Sequence, residues 1–281
     1  MLHSLPLVEW THGEWTIKGS TIAGIGTCYL IPGLNVAFDV AQGLPQFIGV
    51  SRLFITHGHM DHASGIPYLI SQRGLAHLSA PEFYMPSHMV APMKQIMATW
   101  EQMEGHQYQF HFNSVKPGEA IPLRADLVVR PFEAHHRIPA LGYTLLRRKK
   151  RLKAEFAELK GKEIRELRKS GTEVEENWEE PEVSFSGDSR IEFFDNNELV
   201  RRSRILFMEV TYIDDRKSVE NARDWGHVHL DELLPRLDQF EGEKIVITHL
   251  SSRYSVNECI KILDQRVPSH LRSKVDVFPQ S

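Results

Sequence analysis

Residues 51–65, Ser-Arg-Leu-Phe-Ile-Thr-His-Gly-His-Met-Asp-His-Ala-Ser-Gly, constrain this chain more than any other stretch. Leu53, Phe54 and Ile55 form a short apolar run of strand-forming residues, so they read as a buried strand. His57, His59, Asp61 and His62 begin where that strand should end. A sharp turn there aims several short side chains at one point. Imidazole nitrogen and carboxylate oxygen are the atoms that divalent zinc accepts, at ~2.0–2.2 Å. Four such groups within six residues are more than one ion needs from a single loop. The spacing suggests two ions side by side, with His57 and His59 on one and Asp61 and His62 on the other.

The same juxtaposition recurs along the chain. Leu127-Val128-Val129 and Tyr143-Thr144-Leu145-Leu146 flank His135-His136. Val183-Ser184-Phe185 ends at Gly187-Asp188, Ile205–Met208 at Glu209, and Ile245–Thr248 at His249. Strands that bring their ends to one edge place a site there in a layered α/β protein. Asp188 can put one carboxylate oxygen on each ion, a bridge that holds a metal pair ~3.5–4 Å apart. His249 suits the second ion. His136 suits the first, with His135 as its rival. Glu209 could hydrogen-bond His227, fix its tautomer and raise its pKa, making it a proton donor. His229 competes for that place. His77, His88, His106 and His111 read as ordinary histidines.

Elsewhere, Trp15–Gly19, Cys28–Ile31 and Val36–Val40 read as strands separated by glycine and proline. Gly24, Gly26 and Gly33 mark turns and form no phosphate-cradling fingerprint. A helix is expected to start at Asp61 and to bury Ile66, Leu69 and Ile70. A second is expected over 93–103, with Met93, Ile96, Met97 and Trp100 in the core. The composition, 41 % hydrophobic and 25 % charged over 281 residues, is that of a globular protein. Two cysteines, Cys28 and Cys259, give no disulfide framework, so buried thiols in a reducing, cytoplasmic setting are expected. No stretch approaches the ~20 apolar residues of a membrane span. Residues 1–6 lack the features of a secretory signal.

One segment stands apart. Residues 147–169 carry eleven Lys and Arg against four Glu, and six Glu follow between 173 and 182. An exposed helix with i,i+4 pairs would account for it. A basic arm that grips phosphates accounts better for a local excess of seven on a chain of net charge −4.

A carboxylate-bridged ion pair sets a reaction class. It acidifies water and stabilises charge growing on a substrate oxygen, which suits phosphodiesters and could serve lactams or thioesters.

His57-x-His59-x-Asp61-His62, followed by Asp188 and His249, resembles the metallo-β-lactamase superfamily. Within it the chain looks like the short-form ribonuclease Z family of tRNA 3′-processing endonucleases. The pieces are Phe54–His62, His136-x-Ile138-x-x-Leu141-Gly142-Tyr143, Phe185–Asp188, Met208–Tyr212 and Thr248–Tyr254. The resemblance implies one αββα sandwich domain over 1–281, with a flexible arm at about 147–183. It selects His136 over His135 and His227 over His229. It implies two zinc ions, with manganese as a possible substitute, held by His57, His59, Asp61, His62, His136, Asp188 and His249. It makes Asp61 both ligand and general base, and Glu209 with His227 a proton relay to the leaving oxygen. Precursor tRNA is the implied substrate, a homodimer the implied assembly, and Lys149, Lys150, Arg151, Lys153 and Arg253 the implied RNA contacts. The arm sequence resembles the plant and Thermotoga versions. The early loop, Thr21–Thr27, lacks the Pro-x-Lys-x-Arg-Asn stretch of many bacterial members. The alternatives are a cyclic-nucleotide or general metallo-phosphodiesterase, and a nucleic-acid-binding scaffold.

Overall fold

The computed structural model describes residues 7–278; the N-terminal residues 1–6, on which the signal expectation rests, lie outside them. The first sheet runs in chain order: β1 (Val8–His12), β2 (Trp15–Ile22), β3 (Gly26–Ile31), β4 (Val36–Val40), β5 (Arg52–Phe54), β6 (Glu82–Pro86) and β7 (His111–Val115). The second contains β8 (Ile121–Arg124), β9 (Leu127–Ala134), β10 (Ala140–Leu152), β11 (Glu175–Phe185), β12 (Ile205–Glu209), β13 (Lys244–Thr248) and β14 (Val275–Val277). In each sheet four antiparallel strands continue into parallel ones, β4 to β7 and β11 to β14.

The central parallel strands, such as β12 and β13, are mostly apolar because both of their faces are covered. In β12, Ile205 and Phe207 point between the sheets, and Leu206 and Met208 point outward. In β3, Tyr29 and Ile31 point inward, and Cys28 and Leu30 outward. Phe38 and Phe185 stack across the two sheets with centroids 4.2 Å apart. Each fully buried aromatic of this kind contributes about 1.5–3 kcal/mol.

Helices α1 (Met60–Ala63), α2 (Ile66–Leu75) and α3 (Ser87–Glu104) cover the outer face of the first sheet. After α4 (Gly161–Lys169) come α5 (Glu192–Asn196), α6 (Glu198–Arg202), α7 (Val219–Trp225), α8 (Leu230–Leu233) and α9 (Val256–Arg266). The second sheet's outer face packs on α5, α6, α8 and α9. The architecture is therefore the expected α/β sandwich of the αββα type. Cys28 and Cys259 are buried free thiols, and burial pushes each up to about 12. Among the described residues no helix is long and apolar enough to cross a membrane.

Two expectations need correction. Met93 and Met97 enter the core, but Ile96 and Trp100 are each 43 % exposed. The apolar stripe exists, yet only its inner edge is covered. A cleft of about 540 Å³ separates its remainder from Met60 and Pro67. The second correction concerns the basic segment. It is neither one helix nor an uncompensated cationic arm. Strand β10 runs out to Leu152, α4 forms the far end, and β11 returns with five of the six glutamates. Arg148 pairs with Glu179, Lys149 with Glu180, Arg151 with Glu176, and Lys153 with Glu173. Over 147–183 eleven cations face ten glutamates. Such exposed pairs contribute at most about 1 kcal/mol each, so their main effect is to cancel charge. Among the described residues the side chains of Lys150, Lys160, Lys162 and Arg165 have no carboxylate partner.

Candidate metal centre

The metal-type residues all leave the sandwich at one edge. His57 and His59 lie in the loop after β5, and Asp61 and His62 open α1. His136 lies between β9 and β10, Asp188 follows β11, and His249 follows β13. Their donor atoms converge. His59 Nδ1 is 3.0 Å from His57 Nε2 and 3.2 Å from His136 Nε2. Donors on a tetrahedral ion with ~2.0–2.1 Å bonds stand about 3.3 Å apart.

Asp188 joins two groups. Its Oδ2 lies 3.8 Å from His57 Nε2, and its Oδ1 lies 3.3 Å from His62 Nε2 and 3.4 Å from His249 Nε2. Asp61 Oδ2 stands 3.7 Å from His62 Nε2 and 3.5 Å from His249 Nε2. The groups are thus His57, His59, His136 and Asp188, and Asp61, His62 and His249, the latter also reached by Asp188. His62 Nε2 and Asp188 Oδ1 are buried without a hydrogen-bond partner. A buried imidazole nitrogen and carboxylate oxygen that face each other without a hydrogen bond are what a bound cation would satisfy. The residues fit a pair of divalent ions.

Four of the histidines are held from behind. Thr56 Oγ1 is 2.9 Å from His57 Nδ1. Asp39 Oδ2 is 2.7 Å from His62 Nδ1, and the Gly226 carbonyl is 2.8 Å from His136 Nδ1. Thr211 Oγ1 is 3.2 Å from His249 Nδ1. Asp39 was not foreseen as a site residue. It lies within the predicted strand Val36–Val40 rather than beyond its end, so the strand-end signal that marks Asp188 does not single it out. Asp39 and His249 both have φ 53°, left-handed conformations that cost non-glycine residues energy and concentrate at functional sites. Gly187 has φ 61°, and a Cβ there would lie 2.8 Å from the Thr56 Cβ. Glycine lets Asp188 approach this closely.

Burial holds His57 well below its ordinary pKa, and His59 and His136 are lowered by the same cause. Their lone pairs stay free for a cation. Burial also works against protonation of His62, but Asp188 and Asp39 on either side raise it well above the usual value. Burial would raise Asp61, yet the hydrogen bond from His249 and the charge of His62 bring it down to about 2. The backbone N–H of Gly24, in the divergent early loop, donates to Asp61 Oδ2 at 2.9 Å.

His227 joins Asp188 and His249 in a third group of close donor atoms, but its Nδ1 is taken by Glu209 Oε1 at 2.9 Å. Ser189 N–H and Thr211 N–H each donate to this carboxylate at 3.1 Å, and Thr211 O–H donates at 2.8 Å. Burial alone would lower His227. The charge and hydrogen bond of Glu209 outweigh it and raise the imidazole to about 9.

The two sequence rivals lie elsewhere. His135 Nε2 contacts the Asn196 amide at 3.3 Å. His229 caps α8, accepting from the Asp231 N–H at 3.1 Å. Arg253 donates to Ser251 Oγ at 3.4 Å.

Sandwich, edge and paired donor groups together define a metallohydrolase of the β-lactamase superfamily, and residues 37–250 match the family model described as Beta-lactamase superfamily domain. The chain is 33 % identical to tRNase Z TRZ1 of Arabidopsis thaliana over 268 residues, 95 % of each chain. It is 33 % identical to the chloroplastic tRNase Z TRZ2 of the same plant, over 87 % of this chain and 70 % of that one. Human tRNase Z, short form, superimposes with a TM-score of 0.59 at 16 % identity, covering 92 % of this chain and 94 % of that one. The chain belongs to the tRNase Z family.

Proposed function

We propose that this protein is an endoribonuclease that removes the 3′ trailer from precursor tRNA, leaving a tRNA 3′-hydroxyl and a trailer 5′-phosphate. The observation that carries the reading is Asp188 reaching both donor groups beside the Glu209–His227 pair. Two divalent ions, zinc by the donor set, would be held by His57, His59, His136 and Asp188 and by Asp61, His62, His249 and Asp188. Bound ions supply acidified water and stabilisation of charge on the phosphoryl oxygens. Asp61, ionised and partly buried, accepts a proton from the attacking water. His227 gives a proton to the departing 3′-oxygen, and Glu209 holds it in the donating tautomer. A cyclic-nucleotide or general phosphodiesterase would use the same chemistry, but would leave the long β10–β11 extension without a use. The test is incubation of the zinc-loaded protein with a trailer-bearing precursor tRNA.

We read the chain as one domain with the extension at 147–183 as a tRNA-binding arm. Helix α4 turns Ile164 and Leu167 inward and leaves Lys162 and Arg165 exposed. The unpaired Lys150, Lys160, Lys162 and Arg165 are the arm's free phosphate contacts, whereas Lys149, Arg151 and Lys153 must first leave a glutamate. Charge reversal of those four free cations should lower the slope of log affinity against log salt by roughly three to four, at about 0.7–0.9 per lost contact. Reversal of Lys149 and Arg151 should change it less, and a small phosphodiester should be cut at the normal rate by both. Equal slopes for both variants would contradict this division.

The protein acts as a homodimer in a reducing compartment such as the cytoplasm. The cleft lined by Met60, Pro67, Met93, Ile96 and Trp100 supports assembly, because apolar surface of this kind is usually covered. Light scattering should give the mass of two chains; a single-chain mass at micromolar protein would contradict it.

A further inference from the structure

At the rim of the metal centre, two exposed side chains hold only each other. Trp225 ends α7 and is 53 % exposed. The Arg137 guanidinium lies over its ring, 4.8 Å from the centroid. Among the described residues Arg137 makes no hydrogen bond or ion pair, so its N–H donors are unclaimed.

The pair is fastened to the chemistry by the backbone. Gly226 follows Trp225 with φ 79°, and a Cβ there would lie 2.6 Å from His136 Nδ1 and 3.0 Å from the Arg137 nitrogen. Its carbonyl is the partner of His136 Nδ1. The end of α7 is tied down by Arg190 Nε–H donating to the Arg223 carbonyl at 2.8 Å, and by His227 N–H donating to the Ala222 carbonyl at 2.9 Å. Trp225 therefore stands two residues from His227, and Arg137 one residue from His136. An indole surface beside a guanidinium with free donors is the chemistry that recognises an unpaired nucleotide: the base stacks and a phosphate oxygen accepts.

We infer that Trp225 and Arg137 form a clamp for the unpaired nucleotide on the 5′ side of the scissile phosphate, Trp225 stacking on its base and Arg137 contacting a phosphate oxygen. The side follows from His227, which protonates the departing 3′-oxygen, so the nucleoside bearing that oxygen lies against the 225–227 loop. This assignment rests on the endonuclease reading. Stacking tolerates any base, so the clamp senses the presence of an unpaired nucleotide rather than its identity.

The experiment is a double-mutant cycle between protein and RNA. Precursor tRNAs are made with an abasic residue either at the last retained nucleotide or at the first trailer nucleotide. Trp225→Ala should weaken binding of the intact RNA about tenfold to hundredfold, the range for one lost base stack. The abasic residue on the 5′ side should cost a similar factor, and the two losses together should equal one of them. The abasic residue on the trailer side should multiply with Trp225→Ala. Trp225→Phe should recover most of the loss, and Arg137→Gln should weaken binding with zinc content unchanged. Multiplicative losses at the 5′ position would overturn the clamp. The cycle is read both as cleavage and as binding. If the unaltered protein binds these RNAs without cutting them, the endonuclease reading fails and the binding cycle still decides the clamp. If it binds none of them, both fail.

Discussion

Asp188→Asn should reduce turnover by more than about a thousandfold and leave the purified protein with fewer than two metal ions per chain. Asn has the volume of Asp, so the packing of Gly187 against Thr56 is kept. The amide, however, offers one oxygen instead of two and carries no charge. Asp188 Oδ1 faces His62 and His249 while Oδ2 faces His57, so one group loses its shared oxygen whichever way the amide turns. Charge stabilisation by the ions is worth several kcal/mol in the transition state, and each 1.36 kcal/mol is tenfold in rate. Metal analysis and steady-state kinetics on the same preparation check it. Two ions retained with turnover within tenfold of normal would mean that Asp188 does not bridge.

His227→Ala should act differently. Turnover on precursor tRNA should fall about a hundredfold to ten-thousandfold, the usual contribution of a positioned proton donor, with metal content unchanged. A 4-nitrophenyl phosphodiester should be far less affected, because its phenolate leaves without being protonated. The pH profile gives a second check. With its pKa raised to about 9, His227 is in its donating form through the neutral range, and the rate should decline as pH rises past that value. Glu209→Gln removes the charge that holds the proton, so the decline should move to lower pH, towards the ordinary imidazole value near 6.5. An alkaline limb unmoved by Glu209→Gln, or loss of zinc from His227→Ala, would contradict the relay.

Most of the site was legible because its signal is local. Parallel strands covered on both faces are continuous apolar runs, and the functional side chain comes within a few residues of each run's end. His57 to His62, Asp188, Glu209 and His249 all follow that rule. His135 against His136 was not separable by spacing, since the choice depends on Gly226, ninety residues away, which accepts from His136 Nδ1. Asp39 escaped because its role depends on a left-handed backbone and on His62, 23 residues downstream. The arm's charge was misjudged for a similar reason. Its glutamates lie 25–31 residues from the cations they face at Arg148, Lys149 and Arg151, so an i,i+4 reading cannot see the antiparallel pairing. Ile96 and Trp100 show the limit of periodicity. The stripe in α3 marks a face as apolar and says nothing about how much of it is covered.

Where this protein cuts is the most direct test of the tRNA assignment. Zinc-loaded protein is incubated with a precursor tRNA carrying a 3′ trailer, and the ends of both products are mapped, with a small phosphodiester assayed in parallel. The expected result is a single cut at the 3′ end of the tRNA body, giving a 3′-hydroxyl on the tRNA and a 5′-phosphate on the trailer. An intact precursor alongside normal hydrolysis of the small diester would contradict the tRNA assignment and leave a general metallo-phosphodiesterase.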